Sequence, residues 1–206
     1  VLRRYFPTPG HDNFGITCLG KGATADFSSL LSSSIIDVQF LGAGQNTQFF
    51  PRWTWEPVGG RHVADSGMLD LSGGEDTEES AAVGQEGEVL GGYRRVDNIT
   101  DATLRSYQAA YGSEVTKDDV FYYVYALLHS PEYRTRYGAD LKKSLPHIPL
   151  VASREDFVAF TTAGRGLADL HLDYESVEPA PLRLVVDGQE VPWDLREAIS
   201  PGLLHV

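Results

Sequence analysis

Residues 116–150, TKDDVFYYVYALLHSPEYRTRYGADLKKSLPHIPL, contain the stretch that decides the fold. No side chain from Val120 to Leu128 carries a formal charge, so a helix there would be apolar around most of its circumference. Such a helix is buried on nearly all sides. We therefore predict a central buried helix that begins after Thr116, with Asp119 completing a capping box.

The dipeptide Ser130-Pro131 predicts that this helix ends and a second one begins. Serine caps helix N-termini, and proline fits the first helical position because its missing N–H costs little there. Residues at four-residue steps in the second helix would form one stripe that packs against the first helix. These residues are Tyr133, Tyr137, Leu141 and Leu145. Pro146 and Pro149 are expected to end the second helix. Arg134 lies near the stripe, where a carboxylate or carbonyl would have to bind it.

On either side of this helical pair, the pattern predicts an α+β fold with a β-rich N-terminal part over residues 1–57. Strands are expected at 14–19, in two pieces within 27–41, and at 47–55, where Pro51 indicates an edge strand or a bulge. Residues 93–206, assigned to the same domain, should hold a helical middle of three to four helices and a C-terminal β-hairpin. The other helices are expected from the Thr100 cap to about Tyr111 and over 155–173, where Phe157, Phe160, Leu167 and Leu170 form the apolar side. The hairpin strands are expected at 182–186 and 190–193.

Between these parts, residues 58–92 are rich in Gly, Ser and acids, which predicts a flexible acidic insertion. The net charge of −12 is concentrated there: residues 65–88 hold eight acids and no Lys or Arg, and removing those eight leaves −4. The overall charge argues against nucleic-acid binding, but its uneven distribution weakens that argument.

The remaining composition indicates a globular chain with 42% hydrophobic residues. Cys18 is the only cysteine, which excludes an internal disulfide and fits a reducing cytoplasm. No segment approaches the roughly 20 apolar residues needed to span a bilayer, so no membrane partner is expected. The chain starts at Val1 without Met, and we interpret it as an excised piece of a longer protein.

Four segments resemble the C-terminal specificity region of type ISP restriction-modification enzymes. They are FSSLLSSSIIDVQFLGAGQNTQFFPRW (27–53), NITDATLRSYQAAYG (98–112), FYYVYALLHSPEYRTRYGADLKKSLPHIPL (121–150) and FVAFTTAGRGLADLHLDYE (157–175). In order and rough spacing, the resemblance spans residues 27–175, which is most of the chain. The resemblance implies a target-recognition domain that has no catalytic activity of its own.

The resemblance also implies what the rest of such an enzyme would do. It would be an adenine-specific DNA methyltransferase and ATP-dependent restriction enzyme that uses S-adenosylmethionine, ATP and Mg. The implied partners of this chain are double-stranded DNA and the methyltransferase domain upstream in the same chain.

Ten residues have side chains suited to contact DNA. Glutamine and asparagine can bind adenine edges and arginine can bind guanine, whereas basic side chains also bind phosphates. These candidates are Lys21, Gln45, Asn46, Gln48, Arg52, Trp53, Arg94, Arg95, Arg136 and Lys143. The alternative interpretations are an ordinary polar turn at 42–48 and solvated surface charge elsewhere. The many tyrosines of the central helices are expected in the core.

Catalytic motifs are not found: there is no Gly-rich phosphate loop, no zinc-ligand spacing, and the six histidines are scattered. A free-standing hydrolase would need a clustered nucleophile and base. No catalytic residue and no metal ligand are therefore predicted. A second hypothesis is a protein-interaction module whose acidic loop mimics DNA.

Overall fold

The computed structural model describes residues 4–37, 39–58, 87–178, 184–186 and 189–191. The chain divides into two units, Val1–Leu172 and Asp173–Val206. In the described part of the first unit, six strands precede four helices, which confirms the predicted α+β fold. No helix among these residues combines the length and the apolarity required to cross a membrane.

The first sheet is antiparallel and has three strands in the order β2-β1-β3. They are β1 (Gly15–Leu19), β2 (Ser29–Ser32) and β3 (Thr47–Pro51). Every residue of β1 is buried, and Ile16 lies opposite both Leu31 and Phe50. As an edge strand, β3 tolerates Pro51 as the sequence predicted, because one side of it needs no backbone partner.

The second sheet has the order β4-β6-β5, with β4 (Trp53–Pro57), β5 (Val89–Leu90) and β6 (Tyr93–Asp97). The single strand predicted over 47–55 is therefore divided at Arg52 into β3 and β4, which belong to different sheets. The last part of the predicted insertion 58–92 forms β5 and its turn, whereas residues 59–86 lie outside the described residues.

The prediction of two strands within 27–41 is wrong, since β2 is the only strand among the described residues of this segment, 27–37 and 39–41. The hydroxyl of Ser32 accepts a hydrogen bond from the Ser34 amide, and the carboxylate of Asp37 accepts one from the Gln39 amide. Such local side-chain bonds compete with strand pairing. Ile35 and Phe40 consequently remain exposed.

The helices are α1 (Asp101–Tyr111), α2 (Lys117–His129), α3 (Pro131–Leu141) and α4 (Arg154–Leu172). The predicted caps are confirmed: Thr100 caps α1, Thr116 and Asp119 form the capping box of α2, and Ser130 caps α3 ahead of Pro131. The uncharged part of α2 is buried, and it packs closely against α4. A Cβ at Gly164 would overlap the carbonyl of Tyr122.

Two details of the helix predictions are wrong. Helix α3 ends at Leu141, where the amides of Lys143 and Ser144 both bond to the Asp140 carbonyl, so Leu145 lies beyond it and is exposed. In α4, Leu170 is exposed, because the close approach of α2 buries the smaller Gly164 and Ala168 instead.

Three core tyrosines hold the segment that joins α3 to α4. Tyr133 donates to the His147 carbonyl at 2.8 Å, Tyr123 to that of Pro149 at 2.5 Å, and Tyr111 to that of Val151 at 2.8 Å. These hydroxyls satisfy backbone acceptors of a segment without regular structure. The tyrosines therefore belong to the core, as expected.

The second unit, by itself, contains a short 3-10 helix at Tyr174–Ser176 and two antiparallel strands, β7 (Leu184–Val186) and β8 (Gln189–Val191). Val186 pairs with Gln189, which is the predicted C-terminal hairpin. The predicted strand ends at 182–183 and 192–193 lie outside the described residues.

Candidate nucleic-acid interface

Two loops and the end of α3 form one polar surface, which we call the loop patch: residues 20–26, residues 41–48, Lys142 and Lys143. The Gly20 amide donates to the Asn46 carbonyl at 2.7 Å, which joins the loops where they leave the first sheet. The Gly22 amide donates to the Lys142 carbonyl at 3.1 Å, which attaches residues 20–26 to α3. An ion pair from Lys142 to Asp26 at 3.2 Å adds to this attachment.

Gln45 connects the two loops through its side chain. Its Oε1 accepts hydrogen bonds from the amides of Thr24 at 2.9 Å and Ala25 at 3.4 Å, and its Nε2 donates to Thr24 Oγ1 at 2.9 Å. The polar atoms of this amide are thus engaged inside the loop patch. Thr24 and Lys142 also belong to this surface but were not among the predicted DNA contacts.

Four predicted contact residues are exposed on the loop patch: Lys21, Asn46, Gln48 and Lys143. Among the residues that the structure describes, none of these side chains forms a hydrogen bond or an ion pair. The Gln48 side chain lies over Gly20, where a Cβ would sit 3.0 Å from its Cγ. The patch carries three lysines and a single acid, Asp26, so its own charge is positive in a strongly acidic chain.

Arg52 is placed differently from the expected base reader, since it is 3% exposed. Its Nε donates to Asp118 at 2.8 Å, its Nη1 bonds to Asp97, and its Cζ lies 3.7 Å from the centre of the Trp53 ring. A buried guanidinium requires such carboxylate partners. Arg52 therefore fastens the junction of β3 and β4 to β6 and α2. Its predicted DNA contact stays a prediction and would require these ion pairs to break.

Lys117 extends this network. Its Nζ lies 2.6 Å from Asp101 and 3.9 Å from Asp97. The hydrogen bond from Lys117 and its positive charge lower the pKa of Asp101. The network joins the N-termini of α1 and α2 to β6.

Arg95 also approaches Trp53, with its Cζ 4.6 Å from the ring centre, and forms an ion pair with Glu88 at 2.9 Å. We call Arg52, Trp53, Arg95 and their carboxylate partners Glu88, Asp97 and Asp118 the arginine–tryptophan cluster. Trp53 is half-buried and contacts two guanidinium groups. Arg94 lies next to Arg95 on β6, is half-buried, and pairs with Glu56 of β4 in the strand register.

Arg136 lies on α3, is exposed, and places its Cζ 5.5 Å from the Tyr137 ring centre. Arg134, by contrast, donates from Nε to the Leu128 carbonyl at 2.7 Å, which confirms that it is bound by a carbonyl. The predicted DNA contacts therefore fall into three places. Five lie in the loop patch: Lys21, Gln45, Asn46, Gln48 and Lys143. Four lie at the second sheet, Arg52, Trp53, Arg94 and Arg95, and Arg136 lies on α3.

A buried polar cluster lies between β2, α2 and α4. Ser29 Oγ is 3.1 Å from His129 Nε2, and Tyr125 bonds to His171. Burial, together with the charge of Arg134, lowers the pKa of His129 to about 4, so its ring is neutral at pH 7. Ser29 is 3% exposed, which leaves its hydroxyl out of reach of a substrate.

In the described ranges, no three His, Cys, Asp or Glu residues cluster in a way that could hold a metal ion.

Comparison with known families finds a match to the type ISP C-terminal specificity domain over residues 2–197. A search of curated proteins finds no match. Among solved structures, the DrdV–DNA complex has a TM-score of 0.65 with 26% identity over 87% of this chain. A nuclease-deletion mutant of the type ISP restriction-modification enzyme LlaGI, in complex with a DNA substrate mimic, has a TM-score of 0.54 with 31% identity over 85% of this chain.

The ATP-dependent type ISP restriction-modification enzyme LlaBIII bound to DNA has a TM-score of 0.61 with 24% identity over 87% of this chain, a likeness of fold. This chain spans only a small part of each of these structures: 14% of the DrdV chain, 12% of the LlaGI chain and 10% of the LlaBIII chain.

Proposed function

This chain belongs to the family of type ISP C-terminal specificity domains, and on that premise we propose that it reads a DNA target sequence through the loop patch. Asn46 and Gln48 would contact base edges, since an amide side chain can donate to and accept from adenine at the same time. Lys21 and Lys143 would bind phosphates on either side and hold the domain on the duplex.

The observation that carries this proposal is the state of these four side chains. They are exposed on two joined loops and on the end of α3 attached to them, and no described residue pairs with them. Unpaired amides and lysines lose only water when they bind a partner. The cations of the arginine–tryptophan cluster would first have to leave their carboxylates.

The wider activity belongs to segments outside this chain. We propose that they form an adenine-specific DNA methyltransferase and ATP-dependent restriction enzyme that binds S-adenosylmethionine, ATP and Mg in the cytoplasm. In this arrangement the chain would contact double-stranded DNA on one side and the upstream methyltransferase domain on another. The chain itself would contribute recognition and no catalysis.

The test is the double variant Asn46→Ala, Gln48→Ala in the whole enzyme that contains this chain. Competition between cognate and scrambled duplex should show a cognate-to-scrambled affinity ratio at least about tenfold lower, because each base contact contributes about 1–3 kcal/mol of discrimination. Binding to the scrambled duplex should change little.

The matched control is Gln39→Ala, which removes an exposed glutamine outside the loop patch and should leave the ratio unchanged. An unchanged ratio in the double variant would place base reading elsewhere on the domain. If, in addition, loss of the patch lysines leaves DNA binding unaffected, the interaction module with an acidic DNA-mimicking loop becomes the better account.

A further inference from the structure

We infer that Gln45 is a positioning residue for sequence recognition and does not itself read a base. Its side chain fastens residues 20–26 to residues 41–48 and thereby sets where Asn46 and Gln48 lie. This inference rests on the proposed function of the loop patch and changes the role expected for Gln45 from its residue type.

The hydrogen-bonding capacity of the amide supports this assignment. The carbonyl oxygen has two acceptor positions, and the amides of Thr24 and Ala25 occupy both. One of the two N–H donors is used by Thr24 Oγ1. A bidentate contact to adenine needs an acceptor and a donor of the same amide at once. Gln45 could supply them only by giving up its bonds to the neighbouring loop.

The local backbone explains why such an attachment is needed. Gly42 and Gly44 precede Gln45 with φ values of 149° and 73°, in the region that favours glycine. Glycine loses more conformational freedom on ordering than any other residue, so this turn is costly to hold in one conformation. The bond from the Gly20 amide to the Asn46 carbonyl holds only the base of the loops. Gln45 adds the second point of attachment, at Thr24 and Ala25.

The same attachment connects the amides to the cations. Residues 20–26 are bound to the end of α3 through the bond from the Gly22 amide to the Lys142 carbonyl and through the ion pair of Lys142 with Asp26. Gln45 therefore completes a connection from Asn46 and Gln48 through Thr24 to Lys142 and Lys143. This connection fixes the distance between the residues proposed to contact bases and the lysines proposed to contact phosphates.

The decisive experiment compares Gln45→Ala with Gln45→Glu in the whole enzyme, using the competition between cognate and scrambled duplex. A carboxylate at this position still accepts from both amides, and the Thr24 hydroxyl can donate to it, so Glu preserves the attachment. Glu lacks the donor that a bidentate adenine contact requires. We expect Gln45→Ala to lower the cognate-to-scrambled ratio about tenfold, comparable with one lost base contact. Gln45→Glu should keep the ratio near that of the unmodified enzyme.

A measurement without DNA tests the attachment separately. Hydrogen exchange of the Thr24 and Ala25 amides should be about tenfold faster in Gln45→Ala, because their acceptor is lost, and unchanged in Gln45→Glu. Asn46→Ala is the matched control, since it removes an exposed amide that does not bond to these groups, and it should leave the exchange unchanged.

Three results would overturn the inference. Unchanged exchange in Gln45→Ala would show that the attachment does not exist in solution. Loss of discrimination in Gln45→Glu with slow exchange retained would show that Gln45 reads a base. Faster exchange in Gln45→Ala with an unchanged ratio would remove the positioning role. In that last case, the Asn46→Ala, Gln48→Ala variant shows whether the proposed function of the patch fails as well.

Discussion

The loop patch and the arginine–tryptophan cluster both hold residues that the sequence predicts to contact DNA, yet they differ in what binds their charged side chains. In the loop patch, backbone bonds and the Gln45 amide support the loops, and Lys21 and Lys143 remain exposed. In the cluster, carboxylates bind the guanidinium groups of Arg52 and Arg95. In a chain with a net charge of −12, the lysines of the loop patch lie mostly among glycines and amides, whereas the arginines of the cluster lie against acids.

This difference also separates structural from recognition roles. A buried guanidinium without partners would be strongly unfavourable, so the Arg52 ion pairs have a structural role. An exposed lysine costs the folded chain little and can exchange water and counterions for a phosphate. The following three predictions test the separation.

The largest effect is expected in the cluster. Arg52→Ala should lower the free energy of unfolding of the 206-residue chain by about 2–3 kcal/mol, because it removes a buried side chain that packs on Trp53 and bonds to Asp97 and Asp118. Denaturant-induced unfolding measures the loss. Arg95→Ala is the control and should cost less than about 1 kcal/mol, since its ion pair with Glu88 is solvent-exposed. If Arg52→Ala lowers the free energy of unfolding no more than Arg95→Ala does, the cluster is no more important for stability than an exposed ion pair.

An intermediate effect is expected in the loop patch. The double variant Lys21→Ala, Lys143→Ala should weaken binding of the whole enzyme to cognate and scrambled duplex alike. The slope of log affinity against log salt should fall by about two units if both lysines bind phosphates. Arg105→Ala, which removes an exposed cation of α1, is the control. An unchanged slope would exclude the loop patch from phosphate binding.

The smallest effect concerns Glu88. Glu88→Gln should change the free energy of unfolding by less than about 1 kcal/mol, because exposed ion pairs contribute little. Because the variant releases Arg95 from its ion pair, the whole enzyme should bind scrambled duplex modestly more tightly at low salt. Titrations of the duplex at several salt concentrations measure this affinity. Glu114→Gln provides the comparison, since its partner Arg154 is neither in the cluster nor among the predicted DNA contacts. Equal effects of the two variants would show that Arg95 takes no part in DNA binding.

The sequence alone determined the helices and their limits to a large extent. The capping box of Thr116 and Asp119 and the Ser130-Pro131 junction of α2 and α3 involve residues within four positions of each other. The uncharged run at 120–128 predicted the buried helix because burial excludes unpaired charge. The family resemblance, which these helices carry together with residues 27–53, 98–112 and 157–175, is confirmed by the match over residues 2–197.

The tertiary structure alone decided which polar side chains already have hydrogen-bond or ion-pair partners within the chain. Arg52 is bound by Asp97 and Asp118, 45 and 66 residues away, and Gln45 by Thr24, 21 residues away. Residue type shows that an arginine or glutamine can bind a base, but it does not show whether another part of the chain has already bound it. Hydrogen bonds and ion pairs saturate, so their partners depend on which segments the fold brings together.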